Sequence, residues 1–99
     1  MNNLPHALSS WDVIYCPEMR EPSYSMFTGG ASKWIGMNLF MISQELAVVD
    51  ADQPELIGLL EKCKINCLPL RLRHGRILAG GFHCITVDVR RQGTLESYC

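Results

Sequence analysis

The sequence predicts an α/β fold built around a strand-strand-helix-strand unit, and three observations carry this prediction. Two short apolar runs, at 38–43 and 46–50, have the length of buried strands. Apolar residues then recur at helical spacing through 54–63. A further apolar run of strand length follows at 65–72. The flanking parts of the chain repeat this order only partially.

The first third of the chain is the least regular. Residues Val13 to Cys16 predict a short strand, which ends at Pro17. A long connection rich in proline and glycine continues to about residue 33. Long loops inside compact domains often carry function or serve as linkers.

The central third predicts a hairpin followed by a helix. A two-residue break separates the two apolar runs, which fits a hairpin or bend between core strands. Asp52 stands three residues before Glu55, with Pro54 between them, and this is the pattern of a capping box at a helix start. We therefore expect the helix over 54–63.

The last third predicts two more strands. Pro69 confines the strand at 65–72 to a sheet edge or a bulge, because proline has no N–H to donate. A glycine-punctuated loop follows, and CITVDV at 84–89 predicts the final strand. Asp88 and Arg90 would share one face of that strand, which predicts a structural ion pair.

Length and charge limit the classes of protein that this chain can represent. The 99 residues suffice for one domain with one core. Nine basic and ten acidic residues give a formal net charge of -1, and no basic run is long enough to bind a nucleic-acid backbone. The apolar runs are far shorter than a membrane span, and the first residues lack a signal-peptide pattern. We expect a soluble, cytoplasmic protein whose partners are neither nucleic acid nor membrane.

The cysteines are odd in number and lack a secretory context, so free thiols are expected rather than a disulfide framework. Cys63 and Cys67 are close in sequence, but they fall at a predicted helix end and strand start, which suits zinc poorly. We expect no metal site and no cofactor. The five cysteines are Cys16, Cys63, Cys67, Cys84 and Cys99.

Cys84 is the candidate for chemistry. It follows a loop ending in Gly80 and Gly81, where the main chain can approach a ligand closely. A nucleophilic thiol fits this place, whereas a small buried residue is the alternative that position alone favours. His83 precedes Cys84, but successive side chains of a strand point to opposite faces, so His83 is expected to support the site rather than deprotonate the thiol.

Ser32 is a second candidate, because it follows a glycine pair in GGASKW. Its hydroxyl and the neighbouring main-chain amides could hold a carboxylate group. A turn or cap residue is the alternative, and the pattern is typical of both.

Three segments together resemble the C-terminal part of the amidinotransferase family, typified by arginine:glycine amidinotransferase. They are SKWIGMN at 32–38, VVDADQPELIGLLEK at 48–62 and GGFHCITVDVRRQGTLESY at 80–98. The resemblance covers about 11–98 and is weakest over 16–30. It implies the pentein superfamily, in which five strand-strand-helix-strand modules form a propeller around a central active site. Residues 1–99 would then be a single C-terminal fragment holding roughly the last one to two modules.

The resemblance also implies roles for the candidate residues. Cys84 falls on the family's nucleophile, which attacks the guanidinium carbon of L-arginine and passes the amidino group to an amine acceptor such as glycine. Ser32 falls on a serine that contacts the amino-acid part of the substrate, although Ala31 replaces the serine before it. The family's catalytic histidine and carboxylates lie upstream of the matched region, so we expect the fragment to be inactive alone. A homodimeric parent enzyme stays open.

Two other functions compete with this one. A guanidine deiminase such as agmatine deiminase has a similar cysteine motif and uses water in place of the amine. The tail DVRRQGTLESY favours the transferase. The second alternative is a non-catalytic remnant that binds or regulates a partner, because the expected base and carboxylates are missing. An isolated module would also expose unpaired strand edges and an uncovered helix face, so we expect it to be marginally stable or oligomeric.

Overall fold

The computed structural model describes residues 4–21, 32–75 and 77–94. Its regular elements confirm the predicted α/β class and contain one complete strand-strand-helix-strand unit. The predicted break between the first two strands is a hairpin turn, and the third strand follows the helix directly. The elements are a 3-10 helix at His6–Leu8, a second at Lys33–Met37, β1 at Phe40–Ser43, β2 at Leu46–Asp50, α1 at Pro54–Lys62 and β3 at Asn66–Leu70.

The three strands form one sheet in the order β1-β2-β3. β1 pairs with β2 in antiparallel register, with Phe40 opposite Val48 and an irregularity before Ser43. β2 pairs with β3 in parallel register, with Val49 opposite Pro69. Pro69 therefore lies in an edge strand, as predicted, because β3 has a neighbour on one side among the described residues.

The core forms where β2 packs beneath the helix. Alternate residues of β2, Ala47 and Val49, point toward α1. They form one buried cluster with Leu56 of α1 and with Met19 from the segment before the sheet. Val48 points the other way and is buried as well. β2 is thus covered on both faces, which explains why its sequence is continuously apolar instead of alternating.

The start of α1 differs from the predicted capping box. The residue that caps the helix is Gln53, and its side chain makes no capping hydrogen bond. Pro54 occupies the first turn as predicted, where its missing N–H costs nothing. The N–H of Asp52 instead donates to Asp50 Oδ1 at 3.0 Å, within the turn that leaves β2. At the other end Lys64, with φ of 64°, reverses the chain into β3.

Gln53 has a structural role that the sequence pattern did not indicate. Its side chain is 1% exposed. Its Oε1 accepts from the main-chain N–H of Arg20 at 2.8 Å, and its Nε2 donates to the Arg20 carbonyl at 2.7 Å. The amide therefore pairs with the peptide groups of Arg20 much as a neighbouring strand would. The Arg20 guanidinium also pairs with the Glu55 carboxylate, which raises the pKa of Arg20 and lowers that of Glu55 through the hydrogen bonds between them.

Two predicted strands are absent from the described residues. The segment 13–16 and the segment 84–89 contain no strand. Both segments have strand-like composition, but a strand requires a neighbour whose main chain can accept its hydrogen bonds. Their apolar side chains are correspondingly exposed, with Val87 at 84% and Val89 at 91%.

Among the residues the model describes, no helix is both long and apolar enough to cross a membrane. The same residues bring no three potential metal-binding side chains together. Cys63 caps the C-terminal end of α1 and Cys67 lies in β3, so both lie where the sequence predicted them.

Substituting Gln53→Leu tests the role of the buried amide. The leucine removes both hydrogen bonds and leaves the part-buried N–H and carbonyl of Arg20 unpaired, which we expect to lower the free energy of unfolding by about 1–3 kcal/mol. Urea denaturation followed by circular dichroism measures the change. The matched control is Gln44→Leu in the exposed hairpin turn. Equal midpoints for the two variants would contradict a structural role for Gln53.

Candidate active site

The loop that follows β3 leads directly to Cys84. Within this loop, the Gly80 N–H donates a hydrogen bond to the Gly75 carbonyl at 2.9 Å, which brings these two residues together. A Cβ on Gly75 would lie 2.7 Å from the Gly80 oxygen, so this crossing requires glycine. Ala79 takes a left-handed conformation with φ of 55° to complete it. The loop therefore brings the chain back toward the sheet just before the predicted site.

Cys84 itself lies in a compact turn. The Ile85 N–H donates to the Gly81 carbonyl at 3.3 Å. The Thr86 N–H and hydroxyl donate to the His83 carbonyl at 3.0 and 2.7 Å. Cys84 is therefore held within a hydrogen-bonded turn rather than at the first position of a strand. Its side chain is exposed among the described residues.

Asn38 ties this turn to the sheet. Its side-chain Oδ1 accepts from the Cys84 N–H at 3.0 Å, and its carbonyl accepts from the His83 N–H at 3.3 Å. Asn38 lies between the second 3-10 helix and β1, and it was not among the residues predicted from the sequence. It stands in SKWIGMN, but its hydrogen bond to Cys84 joins residues 46 positions apart. No local pattern signals such a contact.

The glycine pair behaves differently at its two positions. Gly81 is buried, and a Cβ there would lie 2.5 Å from Asn38 Cβ. A Cβ on Gly80 would make an ordinary contact, 3.4 Å from Cys84 Cβ. The close approach at Gly81 is therefore to Asn38, and the predicted approach of the main chain to a ligand stays a prediction.

His83 shares the turn with Cys84 and is exposed. No strand begins at these residues, so the alternation of side chains that predicted their divergence does not apply here. The main chain of His83 is engaged on both sides, by Asn38 and by Thr86. Its predicted role as a supporting residue stays a prediction.

Ser32 is placed at the start of the second 3-10 helix. Its carbonyl accepts from the Ile35 N–H at 3.1 Å, while its side chain makes no capping hydrogen bond and is exposed. The helix that Ser32 opens ends at Met37, directly before Asn38. One short segment thus carries Ser32 and, through Asn38, holds the turn of Cys84. The substrate contact predicted for Ser32 stays a prediction.

The segment after Cys84 is held to β1 by Arg91. The Arg91 guanidinium donates to the Met41 carbonyl at 2.6 Å and lies 5.4 Å from the centre of the Phe40 ring. It also pairs with Asp88 at 3.0 Å. The ion pair predicted between Asp88 and Arg90 is therefore wrong in its partner, because without a strand the residue three positions on comes within reach.

The other described thiols differ from Cys84 in exposure. Cys16, Cys63 and Cys67 are partly buried. Burial raises the pKa of the Cys16 thiol, and burial together with the nearby Glu61 carboxylate raises the pKa of Cys67. All four are free thiols, and Cys99 lies outside the described residues. Among these four, the thiol open to a reagent or substrate is that of Cys84.

Cys84 is not among the residues that line two cavities bordered by described residues. One, of about 870 Å³, separates the hairpin turn from the segment 87–93. The other, of about 170 Å³, is an apolar groove between α1 and the segments before β1. Cys84 is exposed and contributes to neither of these two cavities.

No protein-family model matches the chain. Curated relatives nevertheless match nearly all of it. Inosamine-phosphate amidinotransferase 1 of Streptomyces glaucescens is 48% identical over 98% of this chain and 28% of its own length. The Streptomyces griseus enzyme of the same name is 52% identical over 90% of this chain and 26% of its own. Mitochondrial glycine amidinotransferase of Gallus gallus is 36% identical over 91% and 21%.

Solved structures agree with these matches. Inosamine-phosphate amidinotransferase from Streptomyces griseus superposes with a TM-score of 0.85 at 54% identity, over 97% of this chain and 28% of that chain. An amidinotransferase of the saxitoxin biosynthetic pathway from Microseira wollei gives a TM-score of 0.82 at 32% identity, over 99% and 28%. The chain spans about a quarter of the length of these relatives. Over nearly all of its own length, this chain is therefore homologous to a segment of the amidinotransferases and has that segment's α/β fold.

Proposed function

We propose that this chain supplies the nucleophilic cysteine of an amidinotransferase, which moves the amidino group of L-arginine to an acceptor amine. One observation carries the proposal. In a chain homologous to amidinotransferases over 98% of its length, an exposed thiol lies on a turn fixed to the sheet by Asn38.

The proposed reaction proceeds in two displacements at one carbon. The Cys84 sulfur bonds to the guanidinium carbon of arginine, the bond from that carbon to the side-chain nitrogen breaks, and that nitrogen takes a proton and leaves as the amine of ornithine. The acceptor amine then bonds to the same carbon, loses a proton, and the carbon–sulfur bond breaks to return the thiol. Arginine and amine become ornithine and a guanidino product, with no oxidant or reductant.

The hydrogen bond at Cys84 favours amidino chemistry over acyl chemistry. Acyl-transfer enzymes commonly use main-chain N–H groups near the nucleophile to stabilise a developing oxyanion. Here the Cys84 N–H already donates to Asn38 Oδ1 at 3.0 Å. Attack on a guanidinium carbon develops no oxyanion, so an occupied N–H at this position is no obstacle.

The acceptor amine is proposed from the names of the relatives. Identity is 43–52% to inosamine-phosphate amidinotransferases, over 90–98% of this chain, and 36–43% to glycine amidinotransferases, over 69–91%. This difference favours an amine of the inosamine-phosphate type, with glycine as the second candidate. We propose that Ser32 contacts the amino-acid part of arginine and that His83, Gly80 and Gly81 support the nucleophile.

The chain is proposed to act as one part of a larger site. Cys84 is not enclosed by the described residues, and the relatives are about four times as long as the matched region. The general base and the carboxylates that bind a guanidinium would come from the remaining modules of a pentein propeller. The isolated chain is therefore expected to show no turnover.

An exchange experiment tests the proposed function. The matched segment of the Streptomyces griseus enzyme is replaced by this chain, giving the exchange enzyme, which is 54% identical to the original over that segment. With arginine and inosamine phosphate we expect ornithine and the guanidino product in equal amounts. Cys84→Ala is expected to lower kcat by roughly three orders of magnitude or more, because the covalent route is lost. Cys63→Ala is the matched control and is expected to retain activity.

Three outcomes of this experiment would contradict the proposal. An exchange enzyme inactive with both inosamine phosphate and glycine would do so if its circular dichroism matches that of the original. Retained activity in Cys84→Ala would show that Cys84 is not the nucleophile. Citrulline or ammonia in place of the guanidino product would support the hydrolytic alternative.

Differential alkylation of the chain tests the exposure of the thiol. With Cys99→Ser as background, iodoacetamide is expected to modify Cys84 first near neutral pH. Cys16 and Cys67 should react roughly tenfold more slowly, since burial raises their pKa and limits access, and the gap should narrow at alkaline pH. Mass spectrometry of the peptides measures each rate. Equal rates at Cys67 and Cys84 near neutral pH would contradict the described site.

A further inference from the structure

We infer that Asn38 is a positioning residue for the nucleophile, because its amide oxygen and carbonyl fix the main chain of the Cys84 turn. The inference rests on the proposed function of Cys84. It assigns to the segment before β1 a part in the reaction that does not involve substrate contact.

The geometry is specific to Asn38. Two successive N–H groups of the turn, those of His83 and Cys84, point to the same residue. One meets the side-chain oxygen and the other meets the main-chain oxygen, at 3.0 and 3.3 Å. A side chain without an oxygen at this position could make the second contact but not the first. Asn38 therefore fixes the orientation of the peptide unit from which the Cys84 side chain projects.

The contact is tight as well as polar. Gly81 packs against the Asn38 side chain so closely that a Cβ on Gly81 would lie 2.7 Å from Oδ1 and 2.5 Å from Cβ. This contact limits the rotamers of Asn38. Arg91 holds the far end of the same segment through Met41. The turn of Cys84 is thus bonded to Asn38, and the segment that follows the turn is bonded to Met41 of β1.

The consequence for catalysis follows from the sensitivity of displacement reactions to geometry. A misplacement of about 1 Å at a reacting group can cost about a hundredfold in rate. Because Asn38 is inferred to act through the main chain of the Cys84 turn, its loss should lower kcat and leave KM nearly unchanged. A residue that only stabilised the fold would lower the amount of active enzyme without changing the properties of the thiol.

Two substitutions separate these roles. Asn38→Asp retains an oxygen that accepts from Cys84 and adds a negative charge next to the thiol. Asn38→Leu has similar size and removes the acceptor. In the full 99-residue chain with Cys99→Ser, Asn38→Asp should shift the pH dependence of Cys84 alkylation upward by about 0.5–1 pH unit, since a nearby negative charge disfavours the thiolate. The neighbouring His83 is present in every variant, so the comparison isolates the change at residue 38.

Matched controls accompany both measurements. Asn66→Asp makes the same chemical change at an exposed position of β3 and should leave alkylation of Cys84 unchanged. Gly81→Ala should lower kcat as Asn38→Leu does, because the new methyl group displaces the Asn38 side chain. Gly93→Ala is its control and should leave kcat unchanged, because a Cβ on Gly93 meets no atom within 4 Å.

Activity is measured in the exchange enzyme. We expect Asn38→Leu to lower kcat by about a hundredfold with KM changed less than about threefold, and Asn38→Asp to recover most of kcat above the shifted pH. An unshifted alkylation profile in Asn38→Asp, or kcat of Asn38→Leu within threefold of the parent, would overturn the inference. If the exchange enzyme itself is inactive or Cys84→Ala retains activity, the proposed function fails, while the alkylation profile still decides whether Asn38 sets the environment of the thiol.

Discussion

The hydrogen bond between the Cys84 N–H and Asn38 Oδ1 is the constraint on which the candidate site depends. The turn of Cys84 belongs to no strand or helix among the described residues, so ladder hydrogen bonds do not hold it. Two contacts set its position instead. Asn38 accepts a hydrogen bond from the turn, and Arg91, which follows the turn, donates to the Met41 carbonyl of β1. β1 is in turn positioned by its pairing with β2, which is buried on both faces. Core burial and active-site geometry are therefore linked through a single strand.

The exposed apolar surface is consistent with a chain that matches about a quarter of its relatives. Leu68 and Leu70 of β3 are exposed at 44% and 46%, and Val87 and Val89 are almost fully exposed. β3 also leaves one edge unpaired among the described residues. Apolar side chains and strand edges of this kind normally meet a neighbour. In the proposed enzyme, these neighbours are also the expected source of the groups that bind a guanidinium.

Much of the fold could be predicted from the sequence because its signals are local. The hairpin, the helix at Pro54–Lys62 and the edge position of Pro69 each follow from periodicity or backbone chemistry within a few residues. The strand predicted at 84–89 was wrong because composition indicates strand preference but not the presence of a partner strand. The capping box failed for a related reason, since Asp52 follows a turn already closed through Asp50.

The parts that could not be predicted depend on contacts between distant residues. Gln53 pairs with the main chain of Arg20, 33 positions earlier, and Asn38 meets Cys84 across 46. The most direct test of a fixed, nucleophilic Cys84 is to incubate the exchange enzyme with arginine alone, quench it, and analyse the tryptic peptide 77–90, in which Cys84 is the sole cysteine. The account predicts that this peptide gains the mass of one amidino group, and that addition of the acceptor amine removes it. An unmodified peptide in an enzyme that forms the guanidino product when the acceptor amine is present would contradict the account.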